Sequence, residues 1–172
     1  GADEIGDMEG VELVIPQKDK PHLVDRLFPS CDKAAQSETS DPFPRFPIDS
    51  FSHHARAFLK IQDGCDRVCS YCKVRIVRGP SRSRAVEEAV EEAKKLVGRG
   101  HREIVLTGIE LGAYGKDLEP RTTLPDLVLR LLEIPDLLRI RLSSIEPQEI
   151  TPELIGLMKR EERLAKHLHI PI

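Results

Sequence analysis

The chain has 172 residues, of which 40% are apolar and 32% charged, and its formal net charge is −3. This composition is typical of an ordinary globular protein that is long enough for one buried core. No apolar run approaches the roughly 18 residues that a membrane span needs, and no signal-peptide pattern opens the chain. We therefore expect no membrane-spanning segment and a cytoplasmic location.

Residues 11–16 form a short apolar run that predicts a strand, and residues 21–28 predict a helix with Pro21 in its first turn. The pattern then collapses. Residues 29–55 are rich in proline and serine, with Pro29, Pro42, Pro44 and Pro47 among them. This composition predicts an extended linker between two domains.

Periodic structure begins after the linker and continues to the last residue. Apolar residues recur at helical spacing over 85–97, where Ser83 is a reasonable N-cap, and strand-like runs alternate with helix-length segments. The predicted strands are 57–62, 103–107, 138–142 and 167–172, and the predicted helices are 85–97, 124–132 and 153–160. This order is typical of an α/β fold with parallel strands.

Right-handed crossovers would curl four such strands into about half of a (β/α) barrel. The chain opens on acidic residues without a methionine and stops on a strand, so we expect a piece of a longer protein. A last strand with an unpaired edge would favour self-association. We also expect such a piece to be inactive alone.

Positive charge is concentrated between Arg56 and Arg84. This segment contains eight cations and two anions, so it carries +6 and leaves −9 for the rest of the chain. A local basic segment can bind a polyanion even when the whole chain is acidic. A solvated loop face explains the same charges, and the sequence leaves both interpretations open.

Three of the four cysteines fall within eight residues, in a C-x3-C-x2-C pattern that directly follows the first strand of the second half. We call Cys65, Cys69 and Cys72 the cysteine triad. Clustered thiols without a secretory signal indicate metal ligation rather than disulfides. Three thiolates on one loop suit an iron–sulfur cluster whose fourth iron stays open to another ligand. The site would lie past the carboxyl end of a barrel strand, where barrel enzymes keep their chemistry.

Two alternatives remain open for these cysteines. His53 or His54 would complete a Cys3His zinc site, although no second cysteine pair supports a zinc-finger spacing. A redox dithiol at Cys69 and Cys72 would leave Cys65 unexplained.

The sequence resembles the radical SAM (S-adenosylmethionine) superfamily at the cysteine triad and, more narrowly, its methylthiotransferases. The further matching segments are 64–72, 78–84, 103–108, 114–115, 141–147 and 167–172. Residues 58–64 and 106–115 are most similar to threonylcarbamoyladenosine tRNA methylthiotransferases, and less similar to the isopentenyladenosine and ribosomal-protein branches.

The resemblance implies a fold and a domain plan. Residues 1–28 would be the tail of an α/β N-terminal methylthiotransferase domain, 29–55 a linker, and 56–172 the first half of a radical SAM partial (β/α) barrel. Three further cysteines of the family, which hold a second [4Fe-4S] cluster, have no counterpart in this chain, and Cys31 is interpreted as an unligated thiol.

The resemblance also implies a chemistry. The cysteine triad would bind a [4Fe-4S] cluster, SAM would chelate its open iron, and reductive cleavage of SAM would give a 5′-deoxyadenosyl radical. The reaction would insert a methylthio group into N6-threonylcarbamoyladenosine beside the anticodon of tRNA, the expected partner. The rival interpretation from another class is a zinc-stabilised RNA-binding module without catalysis.

Five residues are candidates for contacts with SAM. Glu110 would accept the amino group of SAM, with Gly108 allowing close approach of the backbone. Arg141, on a cationic strand face, would meet the carboxylate of SAM, and Ser143 and Ser144 would contact its ribose or methionine part. The alternatives are an ordinary loop glycine, a solvated glutamate and an exposed strand face.

Overall fold

The computed structural model describes residues 2–27 and 56–171, which fall in two units that we take in turn. The first contains the short helix α1 (Ala2–Gly6) and a 3-10 helix (Gln17–His22) that runs into α2 (Leu23–Leu27). The helix predicted at 21–28 is therefore present but shorter. The strand predicted at 11–16 is wrong, because no segment within residues 2–27 pairs with that backbone. The predicted linker, with Cys31, His53 and His54, lies outside the described residues.

The second unit is built on a three-stranded parallel sheet. Its strands are β1 (Arg56–Lys60), β4 (Glu103–Thr107) and β5 (Arg139–Leu142), in the order β1–β4–β5. Arg56 pairs with Glu103 and Glu103 with Arg139, so all three strands start at the same level. Their carboxyl ends meet at one edge, where the loops that follow them lie close together.

Three helices cover one face of this sheet: α4 (Val86–Gly98), α5 (Leu124–Leu132) and α6 (Pro152–Arg160). The strands present alternate residues to them, and those side chains are at most 2% exposed. They are Ala57, Leu59, Ile104, Leu106, Ile140 and Leu142. The α/β class and the parallel sheet predicted from the sequence are confirmed, and the three helices predicted in this unit each match an observed one within one residue at either end.

The start of α4 differs from the prediction. Its N-cap is Ala85, which makes no side-chain cap, while Ser83 lies in a strand and accepts a hydrogen bond from the Gly115 amide at 2.8 Å. Ser83 is therefore not the N-cap. The cap chemistry is found at α5, where Thr123 and Asp126 form a reciprocal capping box.

The fourth strand predicted at 167–172 is wrong as a continuous strand in the described residues up to 171. Only two parallel bridges form beside β5, between Ile140 and Leu164 and between Ser144 and His169. A turn in which the His167 amide bonds to Ala165 separates them. Pro171 also has no N–H to give to a ladder.

A small antiparallel ribbon closes the base of the cysteine loop, which we define as residues 64–72. The ribbon pairs β2 (Gln62–Asp63) with β3 (Arg82–Ser83), so the chain leaves the sheet after β1, makes the loop and returns beside its starting point. The short helix α3 (Val74–Arg78) lies between loop and return strand. Within the described residues, no helix combines the length and apolar character needed to cross a membrane.

Candidate functional site

The cysteine loop lies at the edge of the sheet where the parallel strands end. Its entry is fixed by Gly64, which has φ +73°, and a Cβ there would lie 1.9 Å from the carbonyl oxygen of Pro80. Only glycine lets the backbone at position 64 come this close to Pro80. This close packing allows the Cys65 amide to donate to the Gly79 carbonyl at 3.2 Å. The loop is thus held at its first cysteine by its own return segment.

The cysteine triad is present as free thiols, with Cys65 partly buried and Cys69 and Cys72 exposed. Cys69 and Cys72 are joined by a turn in which the Cys72 amide donates to the Cys69 carbonyl at 3.2 Å. In the described residues, no three His, Cys, Asp or Glu side chains surround a common point. The structure therefore places the three thiols on one loop without gathering them. Free thiols on one loop are nonetheless the donor set that an iron–sulfur cluster takes.

Gln62 joins the cysteine loop to the loop that follows β4. Its side-chain oxygen accepts the amides of Ile109 and Glu110, both at 2.8 Å, while its nitrogen donates to the Gly64 carbonyl, also at 2.8 Å. The amide is fully buried, so these bonds are made without competition from water. Gly108 belongs to the same contact: a Cβ there would lie 2.9 Å from the Gln62 oxygen.

Arg67, between the first two cysteines, connects three loops. Its Nε donates to Glu110 Oε1 at 2.6 Å, and its Nη2 donates to Glu149 Oε1 at 2.9 Å. Glu149 follows β5, and its second oxygen accepts the Gly112 amide at 3.1 Å. The Glu110 and Glu149 side chains are 8% and 5% exposed. We call Arg67, Glu110 and Glu149 the arginine clamp.

The clamp holds two buried carboxylates on one guanidinium, and their pKa values move in opposite directions. Burial is the largest single effect on the pKa of Glu110 and raises it, but hydrogen bonds to Arg67 and Cys65, together with the charge of Arg67, outweigh burial and lower it. Burial raises the pKa of Glu149, and the charge of Glu110 adds to this effect. Burial likewise raises the pKa of the Cys65 thiol, with Glu110 contributing. Of the two acids, Glu110 is the one whose ionised form this site favours, and it lies against the first cysteine.

The other predicted contact residues are placed differently. Ser143 donates its amide to the Leu106 carbonyl at 3.0 Å, and the exposed Ser144 shares a 2.7 Å hydrogen bond with His169 Nδ1. Both lie at the carboxyl edge of the sheet, as the cysteine loop does. Arg141 instead forms an ion pair with Glu103, the first residue of β4, at 2.9 Å. The structure brings Gly108, Glu110 and the cysteine loop together and leaves Arg141 out.

Asp63 is a third buried acid beside the site, and it is 1% exposed. Three cations surround its carboxylate: Lys60 Nζ at 3.0 Å, Arg78 Nη1 at 3.1 Å and Arg82 Nη2 at 3.6 Å. Burial opposes its ionisation, but the hydrogen bond and charge of Lys60, with the charge of Arg78, lower its pKa below the ordinary value. One ionised carboxylate therefore holds three positive side chains against the base of the cysteine loop.

Sequence reasoning missed the residues that organise the site. Gln62 and Asp63 are polar residues at the end of an apolar strand, directly before the cysteines, and that position was the available signal. Arg67 stands inside the cysteine motif but was counted only as part of the basic segment. Glu149 gave no signal, because its partner lies 82 positions away along the chain.

Comparison with known proteins decides the family. The sequence model of the Radical SAM superfamily matches residues 59–172, which is more than half of the chain. The chain belongs to the radical SAM superfamily. The radical SAM match includes the whole cysteine loop and the arginine clamp. It also includes β4, β5 and the last two residues of β1.

The relatives of this radical SAM chain are methylthiotransferases. It is 36% identical over 165 residues to threonylcarbamoyladenosine tRNA methylthiotransferase MtaB of Thermotoga maritima, covering 94% of this chain and 38% of that protein. It is 48% identical over 129 residues to ribosomal protein uS12 methylthiotransferase RimO of Desulforudis audaxviator, covering 75% and 28%. It is 36% identical over 137 residues to tRNA-2-methylthio-N(6)-dimethylallyladenosine synthase of Clostridium botulinum, covering 80% and 30%. The chain therefore spans about a third of each relative's length.

Proposed function

We propose that this chain is part of a cytoplasmic methylthiotransferase that adds a methylthio group to N6-threonylcarbamoyladenosine in tRNA. The observation that carries the proposal is the cysteine triad at the carboxyl edge of a parallel sheet, with ionised Glu110 beside its first member. One relative named for threonylcarbamoyladenosine, from Thermotoga maritima, matches 94% of this chain, whereas the uS12 and dimethylallyladenosine relatives described above match 75% and 80%. This coverage favours that branch over the uS12 and dimethylallyladenosine branches.

The cysteine triad would hold a [4Fe-4S] cluster, and SAM would be the second cofactor. When bound, the cluster supplies the electron that cleaves SAM reductively, chemistry that protein side chains cannot perform. The thiols of Cys65, Cys69 and Cys72 would hold the cluster as thiolates, and the exposure of the last two leaves them accessible to it. A second cluster, as the resemblance implies for the family, would need cysteines other than the triad.

Glu110 is the residue we assign to the amino group of SAM. Its carboxylate is ionised, buried and next to Cys65, so an ammonium group there would form a charge-assisted hydrogen bond shielded from water. Arg67 holds the carboxylate in place, and Gln62 fixes the backbone that carries it. Gly108 keeps the space that Gln62 fills, and Ser143 and Ser144 offer hydroxyl groups at the same edge for the polar parts of SAM.

Arg141 is not retained as a contact for the carboxylate of SAM. Its guanidinium pairs with Glu103, which also receives Arg56 Nε at 3.4 Å, so the charge of Glu103 is already balanced by two arginines. These contacts lie toward the amino ends of the strands, away from the edge that carries the cysteine loop. We assign Arg141 to this ion-pair group on the face of the sheet opposite the three helices.

The proposal is tested first by anaerobic reconstitution of the chain with iron and sulfide. We expect brown protein that absorbs at about 400 nm, as thiolate-ligated iron–sulfur clusters do. After reduction, adding SAM should change the electron paramagnetic resonance spectrum of the cluster. A colourless protein that binds one zinc ion would support the rival, a zinc-stabilised RNA-binding module, and would refute radical chemistry.

The substrate is tested by adding candidates to the reconstituted chain and measuring binding and SAM cleavage. The three arms are tRNA bearing threonylcarbamoyladenosine, tRNA bearing isopentenyladenosine, and ribosomal protein uS12. We expect the first to bind most tightly, and the weak SAM cleavage of this piece to rise most with it, without transfer of a methylthio group. A clear preference for either of the other two substrates would assign the chain to that substrate's branch of the family. The proposed [4Fe-4S] cluster and SAM would be unaffected by this outcome.

A further inference from the structure

The helix that follows the cysteine loop belongs to a surface of one charge. Residues 73–84 contain five cations and no carboxylate. Lys73 and Arg75 are exposed, and the Arg78 and Arg82 side chains are 30% and 33% exposed. We call Lys73, Arg75, Arg78 and Arg82 the α3 surface.

Two acids in the described part of the chain, Asp63 and Asp66, lie beside this surface and carry fewer charges than its four cations. Asp63 is buried beneath it and carries a single negative charge against Lys60, Arg78 and Arg82 together. Asp66 accepts the amide of Ser81 at 3.2 Å. The three cations around Asp63 repel one another, and the charges of Arg78 and Arg82 add to burial in lowering the pKa of Lys60. A bound anion would relieve this repulsion.

The helix α3 contributes nothing to the hydrophobic core. None of its five residues is buried, and Ile76 and Val77 are 82% and 58% exposed. A helix that neither fills the core nor covers it is free to contact a partner. Its composition, basic with exposed apolar side chains, suits a polyanion that also offers apolar surface.

We propose that the α3 surface binds backbone phosphates of an RNA strand next to the cysteine loop. The inference rests on the proposed function, since it takes the substrate to be an RNA. The distribution of charge supports RNA over an acidic segment of a protein as the partner. Residues 56–84 carry +6 and the rest of the chain −9, so a long polyanion is attracted to this segment and repelled by the rest of the chain. Lys73 directly follows Cys72, so a strand bound there passes beside the triad.

The test compares two matched double variants of the chain. K73Q/R75Q removes the two exposed cations of the α3 surface, and K159Q/R160Q removes an exposed Lys–Arg pair at the end of α6. Affinity for a labelled, unmodified anticodon stem-loop transcript is measured by fluorescence anisotropy from low to high salt. Each phosphate that a cation neutralises contributes about 0.7–0.9 to the slope of log K against log salt. The slope should therefore be smaller by about 1.4–1.8 in K73Q/R75Q and unchanged in K159Q/R160Q.

Equal slopes for wild type and K73Q/R75Q would overturn the inference, as would the absence of RNA binding by wild type at low salt. Unchanged RNA binding combined with a loss of uS12 binding would overturn it in favour of a protein partner. The inference and the proposed function fail separately. If the salt slope changes but the chain binds no SAM, the α3 surface binds RNA and the proposed enzymatic function is wrong. If the chain binds SAM but the slope does not change, the proposed function stands and the α3 surface is not an RNA-binding surface.

Discussion

Arg67→Ala is expected to destabilise the chain because it leaves two buried carboxylates without their shared cation. Removing one partner of a buried ion pair costs about 3–5 kcal/mol. The Arg67 side chain is 32% exposed, so water replaces part of the missing interaction and the cost should fall toward about 2–3 kcal/mol. Urea denaturation of the reduced, metal-free chain measures this difference directly.

The pH dependence identifies the cause of that destabilisation. The folded-state pKa of Glu110 lies below its ordinary value, so the stability it contributes is fully present above the unfolded pKa, about 4.3, and is lost as pH falls through the folded pKa. Without Arg67, both clamp carboxylates take up protons more readily. The difference between wild type and Arg67→Ala should therefore be largest at about pH 7 and should already begin to shrink above about pH 4.3, as pH falls through the raised pKa values of the variant's carboxyls.

Arg75→Ala is the matched control, since Arg75 is exposed and belongs to the same basic segment. It should change the unfolding free energy by less than about 0.5 kcal/mol. Arg67→Lys should recover only part of the stability, because an ammonium cannot present the planar fork that bridges Glu110 and Glu149. Equal costs for Arg67→Ala and Arg75→Ala, or a cost independent of pH, would refute the clamp as described.

Three further outcomes follow from the site. Alanine at any one position of the cysteine triad should abolish stable cluster incorporation, whereas Cys31→Ala should leave iron content unchanged; iron and sulfide assays decide this. Glu110→Ala should weaken SAM binding by about 1.5–3 kcal/mol in calorimetry while the cluster remains, and an unchanged affinity would count against the assigned role. Gly108→Ala should destabilise the apo chain by about 1–3 kcal/mol, because the new Cβ would lie 2.9 Å from the Gln62 side-chain oxygen. A thermal melt that matches wild type would contradict that packing.

Periodicity predicted the elements whose signal is local. The helix α4 shows the 3.6-residue pattern over three turns, and the predicted bounds of both α4 and α5 were nearly correct. The cysteine loop was found because its ligands are adjacent in sequence. These features needed no knowledge of what they pack against.

The features that the sequence did not predict correctly all depend on partners far away along the chain or in space. The run at 11–16 is apolar, but a strand also requires a neighbouring backbone. Residues 167–171 have such a neighbour and still form only one isolated bridge, between His169 and Ser144. The clamp joins Arg67 to residues 43 and 82 positions away, and no local pattern encodes such a contact. Gln62, which connects two loops, was missed for the same reason, because its partners Ile109 and Glu110 lie 47 and 48 positions away along the chain.

The ribbon of β2 and β3 has a consequence for the order of assembly. Because it closes the base of the cysteine loop, the segment from Gly64 to Ser81 is an excursion from the sheet, and α3 within it buries no residue in the core. Such a segment can open and close as a separate cooperative unit while the rest stays folded. Amide hydrogens of this excursion should therefore exchange far faster than those of β4 in the metal-free chain. Cofactor loading would then order an already folded protein, rather than being a condition for its folding.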